Sequence, residues 1–107
     1  MKNDSNKPSP LSPATLHILL ALAGGDLHGY GIIQEVARHS EGHYRLGPGT
    51  LYGAIARLER EKLIEALPAV ERRQPYRLTA KGLRVLRAKL ATLHGFARAG
   101  LRKLEAR

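Results

Sequence analysis

The chain has 107 residues, a formal net charge of +9 and no cysteine, a length that suits one domain with a single modest core. Without cysteine there are no disulfides, no thiolate chemistry and no cysteine-ligated zinc, which fits a reducing compartment. The longest apolar run, Ile18 to Ala23, is far below the roughly 18 residues a membrane helix needs, and no signal peptide is recognisable, so a soluble cytoplasmic protein without membrane contact is expected.

Met1 to Pro10 is polar, with two prolines and no periodicity, and reads as a disordered arm. Ser12 before Pro13 is an N-cap followed by a first-turn proline, opening a helix of about Pro13 to Ala23 that stops at Gly24-Gly25. Its apolar residues, Leu16, Ile18, Leu19, Leu20, Ala21, Leu22 and Ala23, go nearly all the way round. A domain this small has little interior to bury such a helix on several sides, so contact with a second subunit is expected. Asp26 to Gly31 has turn chemistry. A second helix, about Tyr30 to Arg38, turns Ile32 or Ile33, Val36 and Ala37 inward. The connection that follows, roughly Ser40 to Gly47, is longer than the tight turn of the simplest helix-turn-helix and suits the winged variety.

Gly47-Pro48 opens the third helix, because a first-turn proline has its φ already set and needs no N–H there. This helix ends near Glu61-Lys62. Leu51, Ile55 and Leu58, with Ala54 beside them, make one core-facing stripe. The opposite stripe is Gly49, Gly53, Ala56 and Arg60, flanked by Thr50 and Arg57 on one side and Tyr52 on the other. Each interior glycine costs about 1 kcal/mol relative to alanine, so a stripe of small residues needs compensation. Two surfaces can supply it, another helix of the same chain or the major groove of DNA.

Ile64 to Leu67 and Tyr76 to Leu78 turn extended, with Tyr76 and Leu78 on one side and Arg77 on the other. Between them Glu71-Arg72-Arg73-Gln74 forms the tip of a wing. Thr79 then caps a last helix, roughly Ala80 to Glu105. Leu83, Leu86, Leu90, Leu93, Ala97, Leu101 and Leu104 follow near-heptad spacing. With about 1.5 to 3 kcal/mol at stake for each fully buried leucine, that seam demands a partner, and a homodimer is predicted. Charge is concentrated here too. Residues 1–71 carry seven basic against eight acidic residues, and residues 72–107 carry eleven against one. A field of one sign over a third of the chain points to a polyanionic partner; the alternative is a solvated basic helix face.

Other chemistries lack their residues. Gly47-Pro48-Gly49-Thr50 lacks the Gly-Lys-Ser/Thr ending of a phosphate-binding loop, and no Ser-His-acid order or carboxylate pair stands out, so no enzyme is expected. His39 and His43 are separated by the helix breakers Ser40 and Gly42, and His17, His28 and His94 are scattered, so neither metal nor cofactor is expected.

In chain order, Leu16 to Leu22, His28-Gly29-Tyr30-Gly31-Ile32, Gly49-Thr50-Leu51-Tyr52, Leu58-Glu59, Arg72-Arg73, Tyr76-Arg77-Leu78-Thr79 and Lys81-Gly82 resemble the shorter members of the PadR family of transcriptional regulators, over Leu11 to about Leu90. The resemblance implies a mainly α fold with a small β-wing. Residues 1–10 would be the disordered arm, 11–79 a winged helix-turn-helix DNA-binding domain, and 80–107 a C-terminal dimerisation helix packed on the partner's first helix. It also implies a repressor on a palindromic operator, released by a small, often aromatic, effector. The chain departs from the pattern at Pro75, where a strand-competent residue is expected, and Phe96 is the one aromatic after Tyr76; no effector pocket is assigned.

On this reading the third helix meets a phosphate at its N-terminus. Thr50 and Tyr52 donate hydroxyls beside it, although Tyr52 equally suits a half-buried packing role. Gly49 and Gly53 let the backbone approach the groove floor, and Arg57 reaches a guanine edge or a phosphate. Arg72 and Arg73 enter the minor groove or grip its phosphates. Tyr30 either holds the second helix on the third or touches the DNA backbone. Leu16, Leu20, Leu83, Leu86, Leu90, Leu93, Ala97, Leu101 and Leu104 form the dimer contact. The competing reading is a winged helix that binds RNA or protein.

Overall fold

The computed structural model describes residues 11–107, so the predicted N-terminal arm lies outside the described residues. The order is α1 (Pro13–Ala23), β1 (Leu27–His28), α2 (Gly29–His39), α3 (Pro48–Arg60), β2 (Ile64–Ala66), β3 (Pro75–Leu78) and α4 (Ala80–Glu105). The helix starts follow their local chemistry. The Ser12 hydroxyl accepts from Thr15 N–H at 3.2 Å, and the Thr79 hydroxyl accepts from Gly82 N–H at 3.0 Å, each satisfying one orphan first-turn donor. At α3 the cap is Gly47, which makes no side-chain hydrogen bond. Its first-turn N–H groups therefore face outward without a side-chain acceptor.

Ile18, Leu19, Ile32, Val36, Leu51 and Leu58 are completely buried and make the centre of the core, where α1, α2 and α3 meet. The expected inward stripe of α3 is confirmed, and of the pair Ile32 and Ile33 it is Ile32 that is buried. Helix α1 is less enclosed than its composition suggests: Leu16 is half-buried, and Leu20 and Ala23 are exposed. These three recur at i, i+4 and i+7, so the uncovered strip runs along one face.

The sheet is antiparallel in the order β1-β3-β2, with Leu27 opposite Tyr76 and His28 opposite Pro75 on one side of β3. On the other side Ile64 pairs with Leu78 and Ala66 with Tyr76. The segment read as a turn, Asp26 to Gly31, thus contributes a two-residue strand as well as the start of α2. Periodicity has no purchase on two residues; β1 exists because the wing strand offers it an edge. Pro75 sits at the first position of β3, where a proline is tolerated in a sheet.

One expected dimer residue belongs elsewhere. Leu86 is 3% exposed within its own protomer, because the first turns of α4 lie against α1. It is a core residue, and the seam available to a partner is Leu83, Leu90, Leu93, Ala97, Leu101 and Leu104, all exposed. Gly82 allows this docking: a Cβ there would overlap the Leu63 carbonyl oxygen. Thr79 adds two bonds to the same junction, N–H to Leu63 O at 3.1 Å and hydroxyl to Lys62 O at 2.7 Å.

Candidate nucleic-acid interface

The outward face of α3 carries almost no side-chain bulk. A Cβ built on Gly49 or Gly53 would meet no atom within 4 Å, so among the described residues these glycines pack against no other helix. Thr50 beside them is exposed. Tyr52 is both open to solvent and packed on a neighbouring element. It is 54% exposed, yet its hydroxyl lies over Gly29 so closely that a Cβ there would stand 2.6 Å from it. Glycine at position 29 therefore lets the tyrosine of α3 cross the first turn of α2.

Arg57 is turned back along its own helix. Its Nε donates to Glu61 at 3.2 Å, and both side chains are largely covered, so reaching a base edge means leaving a carboxylate one helical turn away. Tyr30 is 63% exposed. It is the second residue of α2. Arg77, by contrast, faces Asp26 across 3.4 Å.

At the wing tip Val70 and Arg73 exchange both backbone bonds, N–H to O at 2.9 and 2.8 Å. The two residues between them, Glu71 and Arg72, have φ of 49° and 69°. A two-residue hairpin loop with both φ values positive matches the twist of the strands, but it favours asparagine and glycine. Here a glutamate and an arginine hold it, at a cost of order 1 kcal/mol for each left-handed residue. The strained turn aims an arginine outward instead of relaxing around a glycine, a pattern that accumulates where residues meet a partner.

Between wing and helices lies an open depression lined by His28, Tyr30, Tyr52, Arg72, Arg73 and Tyr76. It thus gathers four of the residues expected at the interface from three separate parts of the chain. Tyr76 forms its floor, with burial first, then Glu59 and Tyr52, holding the hydroxyl's pKa above the ordinary value. His28 escaped assignment in the sequence. Its ring accepts from Gly31 N–H at 3.2 Å as the N-cap of α2, and Arg73 Nη1 stands 3.0 Å from its Nε2. The available signal was a polar residue ahead of Gly-Tyr-Gly at a helix start; histidine is an uncommon cap and was not read as one.

Among the described residues no group of three or more His, Cys, Asp or Glu is placed to hold a metal ion, and no helix is long and apolar enough to cross a membrane.

Residues 18–88 match the transcriptional regulator PadR-like family. The chain is 37% identical over 86 residues to the transcriptional regulator Rv3488 of Mycobacterium tuberculosis, covering 78% of each. It is 46% identical over 76 residues to an uncharacterised 37.1 kDa transposon protein of Streptomyces fradiae, of which it spans only 21%. A transcriptional regulator from Clostridium thermocellum superposes with a TM-score of 0.72 at 28% identity, over 84% of this chain and 94% of that one. Bacillus subtilis PadR in complex with operator DNA has the same fold, with a TM-score of 0.68 at 22% identity over 77% of this chain and 48% of the other.

Proposed function

The chain belongs to the PadR-like family of transcriptional regulators, and from that premise we propose that it works as a homodimeric repressor on a two-fold symmetric operator. In this reading α3 enters the major groove. Gly49 and Gly53 bring its backbone against the groove floor, and Thr50, Tyr30 and Tyr52 donate to phosphates. Arg72 and Arg73 take the adjacent minor groove or its edges. Arg57 serves as a further contact once released from Glu61. With few side chains left for base edges, much of the discrimination comes from DNA shape. The observation that carries this reading is the meeting of Tyr52 from α3 with Arg72 and Arg73 from the wing around one open depression, beside a helix face that none of the described residues covers.

Dimerisation in this reading joins the uncovered strip of α1, Leu16 and Leu20, to the exposed seam of α4 in a two-fold arrangement. The winged domain, 11–79, and the helix 80–107 then divide the work between DNA and partner. A cytoplasmic binding protein without catalytic activity, responsive to a small-molecule effector, completes the proposal. The Bacillus subtilis PadR–operator complex supports the DNA partner, and Bordetella bronchiseptica BpsR, a likeness at 21% identity whose DNA binding is regulated by 6-hydroxynicotinic acid, supports the effector.

Selection of bound fragments from random duplex DNA tests it. Enrichment of a two-fold symmetric site, bound by a sedimenting dimer, is expected. Equal affinity for structured RNA in competition at fixed salt would overturn it in favour of the RNA-binding alternative, because the major groove of an RNA duplex does not admit a helix.

A further inference from the structure

His28 stands between two donors. Its Nδ1 accepts from Gly31 N–H at 3.2 Å, which leaves the ring's one proton on Nε2. That Nε2 is 3.0 Å from Arg73 Nη1, and a guanidinium has donors only. Two N–H groups therefore converge across the depression. Moving the proton to Nδ1 lets Nε2 accept from Arg73 but turns a donor on Gly31 N–H. A doubly protonated ring fails on both sides. No state of the imidazole satisfies both neighbours, and the Gly31 N–H is held in the first turn of α2. Among the described residues Arg73 has no carboxylate partner, while the nearby Asp26 is engaged with Arg77.

An anionic oxygen seated against both groups resolves the conflict. We propose that His28 Nε2–H and Arg73 together clamp one non-bridging phosphate oxygen of the DNA backbone, His28 as a neutral donor and Arg73 as the charge. The proposal rests on the operator-binding reading. The depression is open and flanked by Arg72 on the wing and Tyr52 on α3, which suits a phosphate presented on a duplex. The clamp would join the N-cap of α2 to the wing on the side where β1 already pairs with β3.

The test uses the full chain, the selected operator and duplexes in which single phosphates are replaced one at a time by uncharged methylphosphonates. His28→Asn keeps a side-chain oxygen that caps Gly31 N–H but is too short to meet Arg73, and its melting should match the parent protein. It should bind the operator about tenfold more weakly, in keeping with the loss of one hydrogen bond to a charged group. Its slope of log affinity against log salt should stay unchanged, since a neutral donor displaces no counterion. Arg73→Ala should lower that slope by about 1. In the parent, neutralising one linkage per half-site should weaken binding by a similar factor. Neutralising that linkage should cost each variant less than it costs the parent, Arg73→Ala least of the two, and the double variant should lose less than the sum of the two. The DNA-side change leaves the protein intact, so a folding defect cannot imitate it. Parent-like binding by His28→Asn at every linkage, or no linkage silenced by Arg73→Ala, overturns the clamp while the operator reading stands. A parent protein that ignores duplex DNA overturns both.

Discussion

Helices α3 and α4 both leave one face uncovered by the other described residues, and the two faces are opposite in character. On α3 the open face is Gly49, Thr50, Tyr52 and Gly53, with two positions where an added Cβ meets nothing within 4 Å. On α4 it is Leu90, Leu93, Leu101 and Leu104, the last two 61% and 63% exposed. A face of backbone and hydroxyls gains little from an apolar partner, because it has little apolar area to remove from water. A leucine face gains from nothing else. Each helix is thereby suited to a different surface, polar for α3 and apolar for α4.

The largest effect should come from making the α4 face polar. Leu93→Glu combined with Leu101→Glu removes four leucines from the proposed two-fold interface. At about 1.5 kcal/mol each, the lower end of the range for a buried leucine, that is roughly 6 kcal/mol. Sedimentation should find a monomer at micromolar concentration; a persisting dimer would place the interface elsewhere.

Next comes the junction holding α4 on the end of α3. Gly82→Ala gains helix propensity but drives a methyl into the Leu63 carbonyl, which is backbone and cannot rotate away. A net destabilisation toward the upper end of about 1 to 3 kcal/mol is expected from overpacking, read by urea unfolding. Stability equal to the parent would mean that α4 docks differently.

On the α3 face, stability and binding should separate. Gly53→Ala should stabilise the free protein by up to about 1 kcal/mol, since the position is open and helical, while Gly53→Leu should abolish operator affinity without lowering the melting temperature. If the leucine variant still binds, the α3 face does not enter the groove.

The smallest effect lies away from both faces. His17, on α1, meets His39 on α2 through a 2.9 Å nitrogen contact and stacks on Tyr44 with ring centroids 4.2 Å apart. Burial, and then the neighbouring His39, lower the His17 pKa from its ordinary 6.5. The unfolded chain thus takes up a proton that the folded one resists. This contribution to stability is fully present above pH 6.5 and is lost as pH falls through the lower folded value. His17→Phe, which retains a ring over Tyr44, should flatten that part of the melting-temperature profile. Parallel profiles would remove His17 from the linkage.

Much of this architecture was legible because local signals agreed with the final packing. Ser12-Pro13, Gly47-Pro48 and Thr79 each announce a helix start, and the spacing of Leu51, Ile55 and Leu58 names the buried side of α3. Harder to read were features made by residues far apart in the chain. Leu86 fits the heptad as well as Leu90 does, and only the packing of α4 on its own core separates them. Nothing near Leu27-His28 marks a strand until β3 lies beside it. Glu71-Arg72 carries no turn signal, because the closing pair Val70 and Arg73 imposes positive φ on residues that do not prefer it.

Composition and period by themselves determined the helices, the winged order of elements, the inward stripes and the concentration of basic charge after residue 71, since each depends on neighbours within a few positions. Which leucines serve the core and which face outward, and that His28 and Arg73 stand nitrogen to nitrogen, was decided only in three dimensions. Those outcomes depend on distances between residues 45 positions apart or more, and no local pattern carries that information.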